Sequence, residues 1–271
     1  MSPRSYLFVP GNRPELLRKA LASPAEAVSI DLEDAVPQDQ KADARARTVE
    51  FLSTIEPAGR SRVSVRINAV RTRVAEEDLS AVAGTGVGIR VPKVEAPGDL
   101  DWVAVRAGEA PLLATIETAR GLVAAPEIAA FPGVVRLGLG GLDLIRDLGC
   151  GDDPLALLFA RSALVVASRA AGLPGPINSV FPQLNDEAGL ERHTRHAAGL
   201  GFGAQSLVSP RQIATVHRVF SPGLAEKAWA IEVLEAFDAA GGQATASATG
   251  EFIDLPVARR AAEVIAGEPT P

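Results

Sequence analysis

Cysteine, histidine and aromatic residues are all scarce in this chain. One cysteine, Cys150, stands among 271 residues, which excludes an intrachain disulfide and any cysteine-based zinc cluster. No histidine lies near it in the sequence, so it reads as a buried or inert thiol and not as a nucleophile. The three histidines, His193, His196 and His217, fall on helical patterns without metal-ligand spacing; surface or packing roles suit them. Aromatic residues make up 4% of a chain that is 47% hydrophobic, so the core must be built from Ala, Val, Leu and Ile. No run reaches the roughly 18 apolar residues that a membrane span needs. The opening stretch, MSPRSYLFVPGNRPE, is too weakly apolar for a secretory signal, and a cytoplasmic location is expected. A formal charge of -6 lacks the basic excess of a nucleic-acid surface, though it leaves room for a local basic pocket. A Ser-His-Asp elbow, GxSxG and a P-loop are also missing.

What is present is alternation. Short strand-like runs occur at Tyr6–Val9, Ala27–Leu32, Arg62–Ile67, Gly88–Val91, Leu112–Ile116, Val134–Leu139, Ile177–Phe181 and Ala204–Val208. Helical patterns separate them: Arg13–Leu21, Asp39–Thr54, Glu76–Ala83, Asp99–Ala107, Ala119–Ala130, Leu144–Gly149, Pro154–Ala171 and Asp186–Leu200, with another beginning at Pro210. Apolar runs without polar alternation suit strands buried on both faces. The count and the alternation predict a (β/α)8 TIM-like barrel over residues 1–220, an open doubly wound sheet being the alternative. Residues 221–271 are expected to form a C-terminal helical extension. Within it GGQATASATG reads as a linker or mobile loop, and Ile253–Ile265 as a helix with Asp254 near its start and Pro256 in its first turn. Such a helix packs on its own barrel or crosses to a neighbouring subunit.

Polar groups gather behind the strands: Asp31, Glu33, Asp34, Arg66, Asn68, Lys93, Glu117 and Asp143. In a parallel barrel these ends face one mouth, where chemistry sits. Glu117 and Asp143 each close an apolar run ahead of a helical pattern, and two converging carboxylates suit one hard divalent cation such as Mg²⁺. The competing reading is two solvated carboxylates at helix starts. Arg66, flanked by apolar residues, points inward as a fork for a substrate carboxylate or carbonyl, or as the structural partner of Glu33 or Asp34. Three acids in the DLED run, Asp31–Asp34, cannot all face one cation, so Glu33 and Asp34 are expected to orient water or to pair with Arg66. The glycines of GLGGLD lack the third glycine of a dinucleotide loop. Backbone approach to a small anionic ligand is the better reading, with Gly141 and Leu142 as substrate-binding candidates.

Taken together, RSYLFVPGNRPELLRKA, AVSIDLEDAVPQDQKADAR, VSVRINAV, IRVPKV, LLATIETARG, GLGGLDLIRDLG, GAQSLVSPRQI and the tail GEFIDLPVARRAAEVI resemble the citrate lyase beta-subunit (citryl-CoA lyase) family of the aldolase/citrate lyase superfamily. The resemblance spans essentially the whole chain. It implies a TIM-like barrel, Mg²⁺ and reversible carbon–carbon cleavage of CoA thioesters such as citryl-CoA, citramalyl-CoA or malyl-CoA to a 2-keto acid and a smaller acyl-CoA. The family's metal ligands fall on Glu117 and Asp143, its substrate-binding arginine on Arg66, and its acidic tail residue on Asp254. In related enzymes that acid enters a neighbouring subunit's mouth as a catalytic base, within homotrimers or hexamers. Arg13 and Lys19 become candidates for the CoA phosphates. Two positions depart from the family pattern: Leu142 replaces a glutamate before the metal-binding aspartate, and Glu251–Phe252 replaces the usual Gly-Lys-Met or similar. An aldolase acting on free 4-hydroxy-2-keto acids and a non-catalytic CoA- or metal-binding subunit are the alternatives.

Overall fold

The apolar runs are strands; Asp31 and Arg66 end theirs and Glu117 directly follows its own, whereas Asp143 stands in the first turn of the helix after the sixth strand. The computed structural model describes residues 2–151 and 153–267, in two compact units, Ser2–Val216 and a C-terminal unit from His217. The first is a closed barrel of eight parallel strands: β1 (Ser5–Pro10), β2 (Ala27–Asp31), β3 (Val63–Arg66), β4 (Gly88–Val91), β5 (Leu112–Ile116), β6 (Val134–Leu139), β7 (Ile177–Asn178) and β8 (Ala204–Leu207). Each strand pairs with the next, and β8 returns to β1 with Tyr6 opposite Ser206. The (β/α)8 expectation holds.

Alternation along the strands stacks the interior in layers. Nearest the strands' N-terminal ends, Tyr6, Ala27, Leu113, Ile177 and Ala204 form an apolar layer. Two residues further on the interior turns polar. Ser29 and Ser64 meet at 3.2 Å, and the buried Arg90 donates to Thr115 and Ser206 at 3.2 and 3.1 Å while lying over the Phe8 ring at 4.6 Å. Gly138 leaves room for that guanidinium, since a Cβ there would stand 3.3 Å from Arg90 Nη2. Another two residues along, at the C-terminal ends, come the carboxylates.

Several boundaries differ from expectation. Ala119–Ala130 is two short helices, Ala119–Val123 and Ala125–Ala129, because Pro126 in the first turn of the second cannot continue the first. The helix expected from Pro154 is Leu158–Ala170. β7 stops at Asn178 and not at Phe181. The stretch expected to be a linker or mobile loop supplies one strand, β9 (Thr245–Ala246), and the turn of a two-stranded antiparallel hairpin with β10 (Phe252–Ile253). Ser247 Oγ accepts from the Glu251 and Thr249 amides and closes the turn. Within the C-terminal unit, the helices Leu224–Ala239 and Leu255–Ala266 bury Ala230, Val233, Ala261 and Val264 together with Ile253. Among the described residues no helix is long and apolar enough to cross a membrane.

Candidate active site

Four strand ends deliver the charged groups. β2 ends at Asp31, β3 at Arg66, β4 is followed by Lys93, and β5 by Glu117. The Asp31 carboxylate is the hub. It accepts from Arg66 Nε and Nη2 at 2.8 and 2.6 Å, and from the Glu33 and Ala35 amides at 2.8 and 3.1 Å. The Arg66 fork is thus filled by Asp31. The expected pairing with Glu33 and Asp34 is present as well, through Nη1 at 3.1 and 3.5 Å; the partner not foreseen is Asp31. The register of β2 against β3 places Asp31 directly opposite Arg66, so the nearest acid wins. Burial alone would lower the Arg66 pKa, but the hydrogen bond and charge of Asp31 hold it above the ordinary range. Phe8 supports the guanidinium from one side at 4.8 Å. Lys41, nine residues beyond Leu32 in the chain, holds the turn from behind by donating to the Leu32 and Glu33 carbonyls at 2.7 and 2.5 Å.

Lys93 links the two halves of the mouth. Its Nζ lies 2.6 Å from Glu33 Oε1 and 3.6 Å from Glu117 Oε2. It holds a left-handed backbone, φ 49°, uncommon for a side-chain-bearing residue and typical of functional turns. Burial opposes its charge, yet Glu33 and then Glu117 keep its pKa raised. Glu117 is 3% exposed, and its Oε2 has no hydrogen-bond partner. Burial first, then the charge of Glu33, pushes its pKa up to about 7; Lys93 and Arg66 oppose this, and Asp143 adds to it. Glu33 is likewise raised, chiefly by burial. Gly140 makes the space for Glu117, because a Cβ at 140 would lie 2.3 Å from Glu117 Cγ. Asp143 occupies the first turn of the helix Gly141–Leu148, partly exposed, with Arg146 at 3.2 Å.

The sequence profile of the HpcH/HpaI aldolase/citrate lyase family matches residues 4–210. A (3S)-malyl-CoA thioesterase of Cereibacter sphaeroides is 36% identical over 93% of this chain and 89% of its own. The citrate lyase subunit beta of Leuconostoc mesenteroides is 36% identical over 97% and 92%. Among solved structures, the protein CitE of Mycobacterium tuberculosis, in complex with magnesium, acetoacetate and coenzyme A, superposes with a TM-score of 0.86 at 32% identity, covering 98% of this chain and 97% of that one. The chain belongs to the HpcH/HpaI aldolase/citrate lyase family. It is an enzyme of that carbon–carbon lyase class.

Against this family background the remaining candidates fall as follows. Gly141 is buried against Ser179, where a Cβ would come within 2.9 Å of the hydroxyl. Leu142, where a glutamate was expected, is 53% exposed on the first helical turn. Arg13 and Lys19 are exposed on and beside the helix Pro14–Leu21, and Arg13 pairs with Glu15 at 2.6 Å. Asn68, expected in the mouth cluster, turns its side chain into Asp78 and the Leu32 carbonyl at 2.6 and 2.9 Å. Asp254 caps the last helix, accepting from the Val257 amide at 3.2 Å. Sequence reasoning missed Arg90, Lys41 and Ser179. Arg90 had a signal, a charge inside the short strand run GIRV.

Proposed function

We propose that this family member cleaves, and in reverse forms, the C2–C3 bond of a 3-hydroxyacyl-CoA that carries a carboxylate on C3, with Mg²⁺. The observation that carries the reading is the buried Glu117 oxygen without a hydrogen-bond partner, beside Asp143 at the barrel's C-terminal mouth. A charged, desolvated oxygen without a donor is costly, and a cation satisfies it. The donor set suits Mg²⁺: two hard carboxylates, with no third His, Cys, Asp or Glu grouped to hold a metal among the described residues, so that positions stay open for substrate oxygens and water. Glu117 and Asp143 would hold the ion. When bound, it supplies stabilisation for the substrate oxygen on which negative charge builds. The CitE complex with magnesium, acetoacetate and coenzyme A supports this reading.

In the cleavage direction the C3 hydroxyl loses its proton to a base. The C2–C3 electron pair passes to C2, leaving a 2-keto acid and an acyl-CoA enolate. Arg66, braced by Asp31, Glu33 and Asp34, holds the substrate carboxylate. The N-terminal amides at Gly141 and Leu142 face an anion favourably. Glu33 and Asp34 orient Arg66 and Lys93. Asp254, from the tail of a neighbouring copy in a trimer or hexamer, returns a proton to the enolate carbon. Arg13 and Lys19 hold the CoA phosphates. A cytoplasmic location fits such a substrate.

The relatives named (3S)-malyl-CoA thioesterase support a second activity at the same mouth, hydrolysis of the thioester. Incubating the protein with malyl-CoA, citramalyl-CoA, citryl-CoA or a free 4-hydroxy-2-keto acid, with Mg²⁺ or with EDTA, and resolving the products by mass spectrometry separates the readings. Equal amounts of 2-keto acid and shortened acyl-CoA, formed only with Mg²⁺, are expected. Free CoA with an intact hydroxy acid would instead assign hydrolysis. Turnover of free 4-hydroxy-2-keto acids alone would assign the CoA-independent aldolase.

A further inference from the structure

The barrel has a cavity at the ends of its strands opposite the mouth. It encloses about 320 Å³, at the small end of the range for ligand sites. Its apolar walls include Tyr6, Ala27, Val63 and Leu113, and two arginines, Arg62 and Arg136, reach it. Each of these residues lies among the first three of its strand or immediately precedes one. The carboxylates of the mouth close theirs, and Glu117 stands four residues beyond Leu113, roughly 13 Å along the strand direction. The layer of Phe8 and Arg90 lies between.

Arg136 is the unusual feature. It is 2% exposed, and no ion pair joins it to a carboxylate among the described residues. Its Nε donates to the Gly175 carbonyl at 2.8 Å, and Nη1 to the Pro3 carbonyl at 2.6 Å and the Tyr6 hydroxyl at 3.5 Å. No hydrogen bond from Nη2 is made to the described residues. Arg62 is similar: Nη2 and Nε reach the Ala25 and Glu26 carbonyls at 2.5 and 3.3 Å, which leaves Nη1 without a protein acceptor. The nearby acid, Glu26, is paired with Arg4. Two guanidiniums therefore carry charge to an apolar cavity without a protein counter-ion, an arrangement that is costly unless an anion completes it.

We propose that this N-terminal cavity binds a small organic carboxylate, its head on the free N–H groups of Arg136 and Arg62 and its aliphatic body against the apolar wall. The largely apolar lining suits the aliphatic body of an organic anion, and the planar fork suits a carboxylate. The site is separate from the mouth, so its failure leaves the lyase reading untouched.

The sole tyrosine, Tyr6, makes a direct test. The full chain is produced with 3-fluorotyrosine, and its single ¹⁹F resonance is followed while hexanoate or hexanol is added. Hexanoate is expected to shift the resonance saturably, with at least tenfold tighter binding than hexanol. Arg136→Met is expected to weaken hexanoate at least tenfold. Should that variant fail to fold, Arg62→Met makes the same measurement at a partly exposed position. An unsaturable response, equal binding of hexanol, or unchanged hexanoate binding in a folded arginine variant overturns the proposal.

Discussion

At the scale of single residues the site is a conflict held in place by its surroundings. Glu117 is buried among other acids, so the metal-free protein carries a carboxylate that prefers its proton up to about pH 7. The folded pKa is raised above that of the unfolded chain. Its favourable contribution is therefore full below about pH 4.5 and is lost as pH rises through about 7. Glu117→Gln is expected to raise the stability of metal-free protein at pH 8 by roughly 2–3 kcal/mol, with the gain vanishing near pH 5; thermal melts of both proteins in EDTA at the two pH values check this. The same substitution is expected to abolish Mg²⁺-dependent turnover. Arg66→Lys keeps the charge but loses the fork on Asp31. Its kcat/KM for the thioester is expected to fall by about 10²–10³, and steady-state kinetics on a well-folded variant decides it. These two residues were legible in the sequence as a polar group closing an apolar run. The clamp of Asp31 on Arg66 was not, because it follows from the register between β2 and β3, and that register depends on closing the barrel.

Among elements, the strand-to-helix junctions do the positioning. The junction after β6 contains Gly140, and its missing side chain is the space that Glu117 fills. Gly140→Ala is expected to leave the barrel folded while weakening Mg²⁺ binding at least tenfold, measured by calorimetry; unchanged affinity would show that Glu117 is free to move aside. Short, largely apolar runs bounded by turn residues made β4, β5 and β6 legible to the residue, the arginines within β4 and β6 notwithstanding. Shorter pairing at β7 was not, since Ile177–Phe181 is equally apolar at both ends and only Ile177 and Asn178 meet neighbours. The β9–β10 hairpin was hidden for a related reason. Its small polar residues carry little strand signal, and Ser247 makes the turn by side-chain hydrogen bonds that composition does not reveal.

For the whole molecule, eight alternations were enough to give the barrel, because a parallel sheet must cover both faces and this count closes on itself. The proposed role of the tail is testable through assembly. If Asp254 serves a neighbouring mouth, co-assembling Glu117→Gln chains with Asp254→Asn chains creates mouths with an intact barrel and an intact tail. Activity is then expected to recover above that of either variant alone. Absence of recovery in mixed assemblies confirmed by native mass spectrometry would mean that each tail serves its own barrel.

The central claim is that Glu117 and Asp143 share one divalent cation. Titrating the protein with Mn²⁺ under electron paramagnetic resonance, with Mg²⁺ as competitor, tests it most directly. The account predicts one ion per chain, displaced by Mg²⁺, with affinity lost in both Glu117→Gln and Asp143→Asn. Wild-type binding in either folded variant would contradict it.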